Sequence, residues 1–160
     1  MLIALCGCAT GASLGYLPYT DIEPANYSED FIHDINFETG TGKALALTTI
    51  DVKPFSKGGL GSAACCAALP GVGQTLHVIW RTGGNYYTPE SQWVTHSSIT
   101  KIKGVTSNDP DSNTSLILRF FPNNQIEAEY VAQSLKSDSP LDPRVDLLFT
   151  GQRVMRHMRE

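Results

Sequence analysis

Short runs of alternating apolar and polar residues cover much of this chain, and they predict a fold made mainly of β-strands. The clearest run places Leu76, Val78 and Trp80 on one face, as in a half-buried strand. This run ends the segment 57–81, which begins with a glycine-rich loop and continues through two adjacent cysteines and a Leu-Pro-Gly turn. We expect the rest of the chain to be organised around this segment.

Three further runs, at residues 31–37, 45–52 and 92–102, also predict strands. In the first run, alternation separates two sets of side chains onto opposite faces of the strand. One set is Phe31, His33, Ile35 and Phe37, and the other is Ile32, Asp34 and Asn36.

Residues 116–130 carry the pattern of a β-hairpin, with a Pro-Asn-Asn turn at 122–124. On the returning strand, Gln125, Glu127 and Glu129 are expected to face water. Alternate residues of both strands are expected to face the core: Leu116, Leu118, Phe120, Ile126, Ala128 and Tyr130.

These elements predict a single, mainly β domain: an antiparallel, sandwich-like fold with short helical pieces at most. The domain is expected to span residues 15–144. Residues 1–14 are interpreted as a partial signal and tether, and residues 145–160 as a C-terminal tail with a short helix at most.

The composition narrows the classes of partner. The chain has 160 residues, of which 41% are hydrophobic and 18% charged, with a formal net charge of −4. The acidic balance argues against nucleic acid, because phosphate recognition needs clustered Lys and Arg. No run reaches the roughly 18 apolar residues of a membrane-spanning helix, so a membrane would be reached only through a lipid anchor. No second Cys or His pair has the spacing of zinc ligands, and we expect neither a metal nor a cofactor.

The N-terminus supplies a candidate anchor. Residues 5–8, Leu-Cys-Gly-Cys, are similar to a bacterial lipobox, in which the thiol of Cys8 would carry the diacylglycerol. The preceding residues lack the positive n-region and the full apolar h-region of a secretory signal. Three interpretations follow: the true start lies upstream of Met1, the signal has been cut short, or the segment is a short apolar strand with two incidental thiols. The first two are forms of the lipobox interpretation, which predicts a membrane-anchored lipoprotein that faces the periplasm.

If the mature chain began at an acylated Cys8, Cys6 would be lost. Cys65 and Cys66 would then remain as an even pair in an oxidising compartment. One interpretation is a disulfide between these neighbours, whose eight-membered ring is strained and readily reduced. The other is a pair of small buried side chains on opposite faces of an extended segment.

Ser62 is the candidate nucleophile for a small hydrolase, with His77 or His96 as its base. The nucleophile-elbow pattern Gly-x-Ser-x-Gly is absent, because Gly61 directly precedes Ser62 and Ala64 stands where the second glycine belongs. We therefore do not expect an enzyme.

Aromatic residues in loops are the expected anchors of a protein–protein interface. Tyr86, Tyr87 and Trp93, in a polar segment with a proline, are the first candidates, followed by Tyr16 and Tyr19 in an aromatic, turn-rich segment. The alternative is that these rings pack in the core, as aromatics beside strands usually do.

Three motifs occur in order along the chain: GYLPYTD at 15–21, GGLGSAACCAALPG at 58–71 before LHVIW, and LRFFPNNQIEAEY at 118–130 before a proline-rich segment. Together they resemble a proteobacterial lipoprotein family known only as a domain of unknown function. The resemblance covers residues 15–144, most of the chain. The incomplete signal and the longer tail after Pro143 depart from the family pattern.

Members of that family occur beside phospholipase effectors of the bacterial type VI secretion system, and some are similar to immunity proteins. The resemblance implies that residues 15–144 form an immunity-like domain that binds and blocks a cognate lipase or phospholipase effector in the periplasm. A competing function is that of a structural lipoprotein of the envelope with no toxin partner.

Overall fold

The computed structural model describes residues 16–160, apart from the side chains of residues 16–19, 46, 47, 66 and 67. Within this range the fold is mainly β, which confirms the predicted class, and its helical pieces are single 3-10 turns. The strands are Tyr16–Asn26 (β1), Phe31–Thr39 (β2), Ala44–Val52 (β3), Ala64–Pro70 (β4), Thr75–Gly83 (β5), Val94–Lys101 (β6), Lys103–Gly104 (β7), Ser112–Phe121 (β8) and Gln125–Ser134 (β9). The 3-10 turns are Phe55–Lys57, Glu90–Gln92, Pro122–Asn124 and Leu147–Thr150.

The strands form two sheets that pack face to face. One sheet has five strands in the order β4-β1-β8-β9-β7, and the other has four in the order β3-β2-β5-β6. Most neighbours are antiparallel, as expected for a sandwich. Two pairings are parallel, β1 with β8 and β7 with β9, and the sequence pattern did not predict them.

The space between the sheets holds the main hydrophobic core. Trp80 of β5 meets Phe120 of β8 edge to face, with ring centroids 5.4 Å apart, so the two sheets interlock at these rings. The inward faces predicted for β5 and for the hairpin are confirmed, because every one of their residues is buried: Leu76, Val78, Trp80, Leu116, Leu118, Phe120, Ile126, Ala128 and Tyr130.

The C-terminal segment covers the outer face of the five-stranded sheet. Leu148, in the last 3-10 turn, is buried in a second apolar cluster with Ile117, Phe121 and Val131 of β8 and β9. The predicted tail therefore packs on the sheet along part of its length, and its only helical piece is this single turn. Burial of these side chains stabilises the segment through the hydrophobic effect, at about 25 cal/mol per Å² of apolar surface.

The C-terminal segment also makes wrong the prediction that the carboxylates of β9 face water. Glu127 was expected to face water, but it is only 7% exposed. Its Oε1 accepts a hydrogen bond from the backbone N–H of Arg159 at 2.9 Å and lies 3.5 Å from Lys103 Nζ. Glu129 is also largely covered and accepts from Nη1 of Arg119 at 2.6 Å. Alternation placed both carboxylates on the correct face, and the covering segment removed that face from water.

A buried ion pair fastens the C-terminal segment to the sheet. Arg119, on the outer face of β8, is 1% exposed, and its Nε donates to both carboxylate oxygens of Asp146, at 3.0 and 2.8 Å. Tyr27 Oη donates to Asp146 Oδ1 at 2.6 Å. Burial and this hydrogen bond raise the pKa of Tyr27 above its usual value. The charges are thus paired and hydrogen-bonded, as buried charges must be.

A β-bulge interrupts β2 at His33. Ile32 pairs with Thr82 of β5 and Asp34 pairs with Arg81, so no residue of β5 stands opposite His33. The extra residue shifts the alternation, and Ile32 joins Ile35 and Phe37 in the core. The predicted single face that included His33 with Ile35 is therefore wrong, because strict alternation does not hold across a bulge.

Two other boundaries differ from the sequence expectation. The aromatic, turn-rich segment near the start belongs to β1, which pairs with β4 and β8. The strand predicted at 92–102 begins only at Val94, because Glu90–Gln92 forms a 3-10 turn.

Candidate functional site

The segment between β5 and β6, residues 84–93, contains three of the candidate aromatic residues, and we call it the aromatic loop. Asn85 shapes it: its Oδ1 accepts from the N–H of Tyr87 at 2.9 Å, and its backbone carbonyl accepts from the N–H of Thr88 at 3.1 Å. Thr88 Oγ1 in turn accepts from the N–H of Asn85 at 3.0 Å. Such local hydrogen bonds are the reason why Asn and Thr favour turns.

Trp93 supports the loop from its C-terminal end. Its Nε1–H donates to the carbonyl of Thr88 at 2.8 Å. Its ring stacks on the imidazole of His33, with centroids 4.0 Å apart, and Cζ of Arg81 lies 4.6 Å from the ring centroid. The bulge brings His33 to this position. Trp93 is therefore a half-buried support for the loop, tied to β2 and β5.

Arg81 of β5 joins the sheet to the aromatic loop through ion pairs with two carboxylates. Its Nε lies 2.9 Å from each carboxylate oxygen of Asp34, and its Nη2 also pairs with that carboxylate. Its Nη1 donates to Glu90 in the loop at 2.5 Å. Hydrogen bonds to Asp34 and Glu90 hold the pKa of Arg81 above its usual range. The bidentate contact between Arg81 and Asp34 fixes the orientation of the guanidinium in addition to pairing its charge.

Tyr86 and Tyr87 project from this supported loop into solvent. Tyr86 is 60% exposed and Tyr87 is 87% exposed. Their rings meet edge to face at 5.3 Å, and Tyr86 also meets the buried ring of Phe31 at 6.0 Å. Large apolar rings that stay exposed on a fixed loop are typical of a binding surface.

A groove of about 590 Å³ runs beside the two tyrosines. Part of its lining comes from the short segment that leaves β3 and forms the first 3-10 turn. Its lining residues are Phe31, Asp51, Lys53, Pro54, Lys57, Asn85, Tyr86 and Tyr87.

The remaining aromatic candidates do not join this group. Tyr16 and Tyr19 lie in the first part of β1, and their side chains are outside the described residues. The other end of β1, at Asn26, leads through a turn to Phe31, which pairs with Gly83 at the start of the loop. At about 3.3 Å per residue, Tyr16 is about 30 Å from Asn26. The structure therefore separates these tyrosines from the aromatic loop.

The hydrolase candidates are also apart. The N–H of Ser62 donates to the carbonyl of Ile50 on edge strand β3, at 3.3 Å. His96 lies on β6, the opposite edge of the same sheet and about 14 Å away at the usual strand spacing. Its Nε2 lies 2.9 Å from Thr82 Oγ1, and Nδ1 of His77 lies 2.9 Å from Glu38 Oε2. In the described part of the chain, neither histidine is hydrogen-bonded to Ser62.

His33 is the residue of this region that sequence reasoning missed. Its Nε2 is buried without a hydrogen-bond partner among the described residues, and burial lowers the pKa of the imidazole. The carboxylates of Asp34 and Asp51 oppose this shift, and Arg81 adds to it. No sequence signal marks a bulge, so no pattern placed His33 beside Trp93.

Of the proposed lipid anchor and the cysteine pair, only Cys65 is among the described side chains. Cys8 lies outside the described residues. Cys65, on β4, takes part in a disulfide bond. The side chains of the other three cysteines are outside the described part, so the pairing of Cys65 with Cys66 stays a prediction.

Among the side chains that are described within residues 16–160, no group of three or more from His, Cys, Asp or Glu is arranged to hold a metal ion. The same range contains no helix of the length and apolar character needed to cross a membrane.

The chain was compared with known protein families, curated proteins and solved structures. No protein-family model, curated protein or solved structure matches the chain.

Proposed function

We propose that this protein binds a partner protein through the aromatic loop and blocks its activity, and that the partner is a secreted lipase or phospholipase effector. The observation that carries the proposal is the pair of exposed rings, Tyr86 and Tyr87, on a loop that Trp93 and Arg81 hold in place.

The aromatic loop is suited to binding because it is already ordered before a partner arrives. A loop that is already ordered loses little conformational entropy on association, and tyrosine adds contact area with only two rotatable side-chain bonds. A sandwich that displays such a loop is a common scaffold for recognition. A blocking protein needs a shaped surface, and no side chain of its own has to react.

The class of partner comes from the three sequence motifs that resemble lipoproteins found beside phospholipase effectors. A periplasmic location would follow from acylation of Cys8. There the protein would meet an effector before it reached the membrane lipids of the producing cell.

The test is a titration of lipase activity. Any lipase or phospholipase effector encoded beside this gene is mixed with increasing amounts of the protein, and phospholipid hydrolysis is followed. We expect activity to fall linearly to zero at a stoichiometric ratio, and a Ser62→Ala variant to inhibit equally well. Undiminished hydrolysis at excess protein would reject the proposal.

A further inference from the structure

The groove beside the aromatic loop has the size and the mixed lining of a recognition site. Its volume of about 590 Å³ lies within the range of ligand pockets, about 300–1,000 Å³. One wall is apolar and is formed by Tyr86, Tyr87 and the buried ring of Phe31. The lining also includes Lys53 and Lys57.

The two lysines are free to bind an anion. Both are exposed, and within the described residues neither ammonium lies within 4.0 Å of a carboxylate. The next cation along this surface is Arg153, whose Nη1 donates to the carbonyl of Ser56 at 2.5 Å. Six other cations are already paired with carboxylates, namely Arg81, Lys103, Arg119, Lys136, Arg144 and Arg156, whereas Lys43, Lys101 and Arg159 have no carboxylate within 4.0 Å in the described part of the chain and do not line the groove.

The charge of the groove opposes that of the whole chain. The protein carries a formal net charge of −4, yet the groove holds two lysines against one acid, Asp51. A single negative charge would balance this excess. Because the lysines and the aromatic rings line the same groove, a ligand that joins one carboxylate to an apolar group matches both kinds of lining residue at once.

We infer that this groove receives an acidic side chain of the partner together with a neighbouring aromatic or aliphatic one. The inference rests on the proposed function, because it assigns the chemistry that the partner presents to the aromatic loop. The carboxylate lies between Lys53 and Lys57, and the apolar group packs against Tyr86.

A pair of capped peptides tests this chemistry without the effector. One peptide is acetyl-Gly-Leu-Asp-Phe-Gly-amide, and its twin has Asn in place of Asp. Each is titrated into the full-length protein while backbone amide signals are followed by NMR. We expect the Asp peptide to shift the signals of Lys53, Lys57 and Asn85 and to bind about fivefold more tightly than the Asn peptide.

Two matched double variants assign the preference to the groove. In Lys53→Gln with Lys57→Gln, we expect the Asp and Asn peptides to bind equally. In the control, Lys43→Gln with Lys101→Gln, lysines away from the groove are changed, and the preference should persist. All four lysines are exposed, so both variants should retain the wild-type spectrum.

Equal binding of the two peptides to the wild-type protein, or an absence of shifts in the groove, would overturn the inference. A preference that survives loss of Lys53 and Lys57 would also overturn it. These results are separate from failure of the proposed function, which is measured by the lipase titration and needs no peptide.

Discussion

The imidazole of His33 stacks on the indole of Trp93, with ring centroids 4.0 Å apart and an angle of 11° between the ring planes. This contact joins the bulge of β2 to the end of the aromatic loop. Arg81 adds a second connection through its ion pairs with Asp34 and Glu90. The exposed tyrosines therefore rest on a loop fixed to the sheet at two points.

Replacement of Trp93 by Ala should loosen the aromatic loop. The change removes the stacking on His33 and the hydrogen bond to the carbonyl of Thr88. We expect hydrogen exchange at the amides of Tyr87 and Thr88 to accelerate about tenfold or more, measured by NMR, while β8 amides stay protected. Trp93→Phe, which keeps a ring but loses the hydrogen bond, should give an intermediate rate. Unchanged exchange in both variants would mean that Trp93 does not support the loop.

Stability should depend on pH through His33. Because burial lowers the pKa of this group, the folded protein binds fewer protons near pH 6 than the unfolded chain, whose histidine pKa is about 6.5. The free energy of unfolding should therefore fall as the pH drops through about 6.5 toward the lower folded pKa. Asp34 and Asp51 reduce the effect, and Arg81 increases it.

Urea unfolding between about pH 7.5 and about pH 5.5 measures this effect. The variant His33→Gln should show a flatter dependence than the wild type. His157→Gln, at an exposed position, should keep the wild-type dependence. Identical curves for the wild type and His33→Gln would contradict the assignment.

The buried pair of Arg119 and Asp146 should make a large contribution to folding. Asp146→Asn removes one of the two carboxylates that pair with the buried guanidinium and leaves Glu129 as its remaining partner, so we expect a loss of about 3 kcal/mol in the free energy of unfolding, the lower end for a broken buried pair. In the control Asp142→Asn, the partner is the more exposed Arg144, and the expected loss is about 1 kcal/mol or less. Urea denaturation of both variants measures the difference. Equal losses in the two variants would show that the buried pair contributes no more to the free energy of unfolding than the more exposed one.

Gly104 should tolerate no side chain. Its φ is 90°, and a Cβ there would lie 2.0 Å from the carbonyl oxygen of Tyr130, its partner across the β7–β9 pairing. Gly73 has a similar φ of 84° but open space around it. We expect Gly73→Ala to cost about 1–2 kcal/mol from backbone strain alone. Gly104→Ala should cost clearly more in the same urea experiment, and an equal cost would contradict the predicted clash.

The sequence predicts the regular strands well because half-buried strands carry their own signal. Alternation in β5 and in the hairpin identified which residues face the core, since one face of each strand contacts the opposite sheet. The same logic predicted a β domain without long helices. It also drew attention to Tyr86 and Tyr87, because aromatic residues between strand signals stand out.

Features that depend on contacts between distant residues were beyond the sequence. Arg119 and Asp146 are 27 positions apart, and no local pattern joins them. Glu127 is buried only because residues near Arg159 return over β9. The bulge at His33 exchanges the faces predicted for the first residues of β2, so that Ile32 enters the core, and no Gly or Pro marks it in the sequence. Lys53 and Lys57 become candidate binding residues only when the fold places them in the same groove as Tyr86.

Calorimetric titration of the effector with matched variants measures whether Tyr86 and Tyr87 anchor the partner. The variant Tyr86→Ala with Tyr87→Ala should bind about 100-fold more weakly than the wild type, as expected when two hot-spot residues are lost. The control, Val72→Ala with Ile99→Ala, removes two exposed apolar side chains outside the loop and should bind as tightly as the wild type. A dissociation constant unchanged by loss of the tyrosines, or weakened equally in the control, would contradict the account.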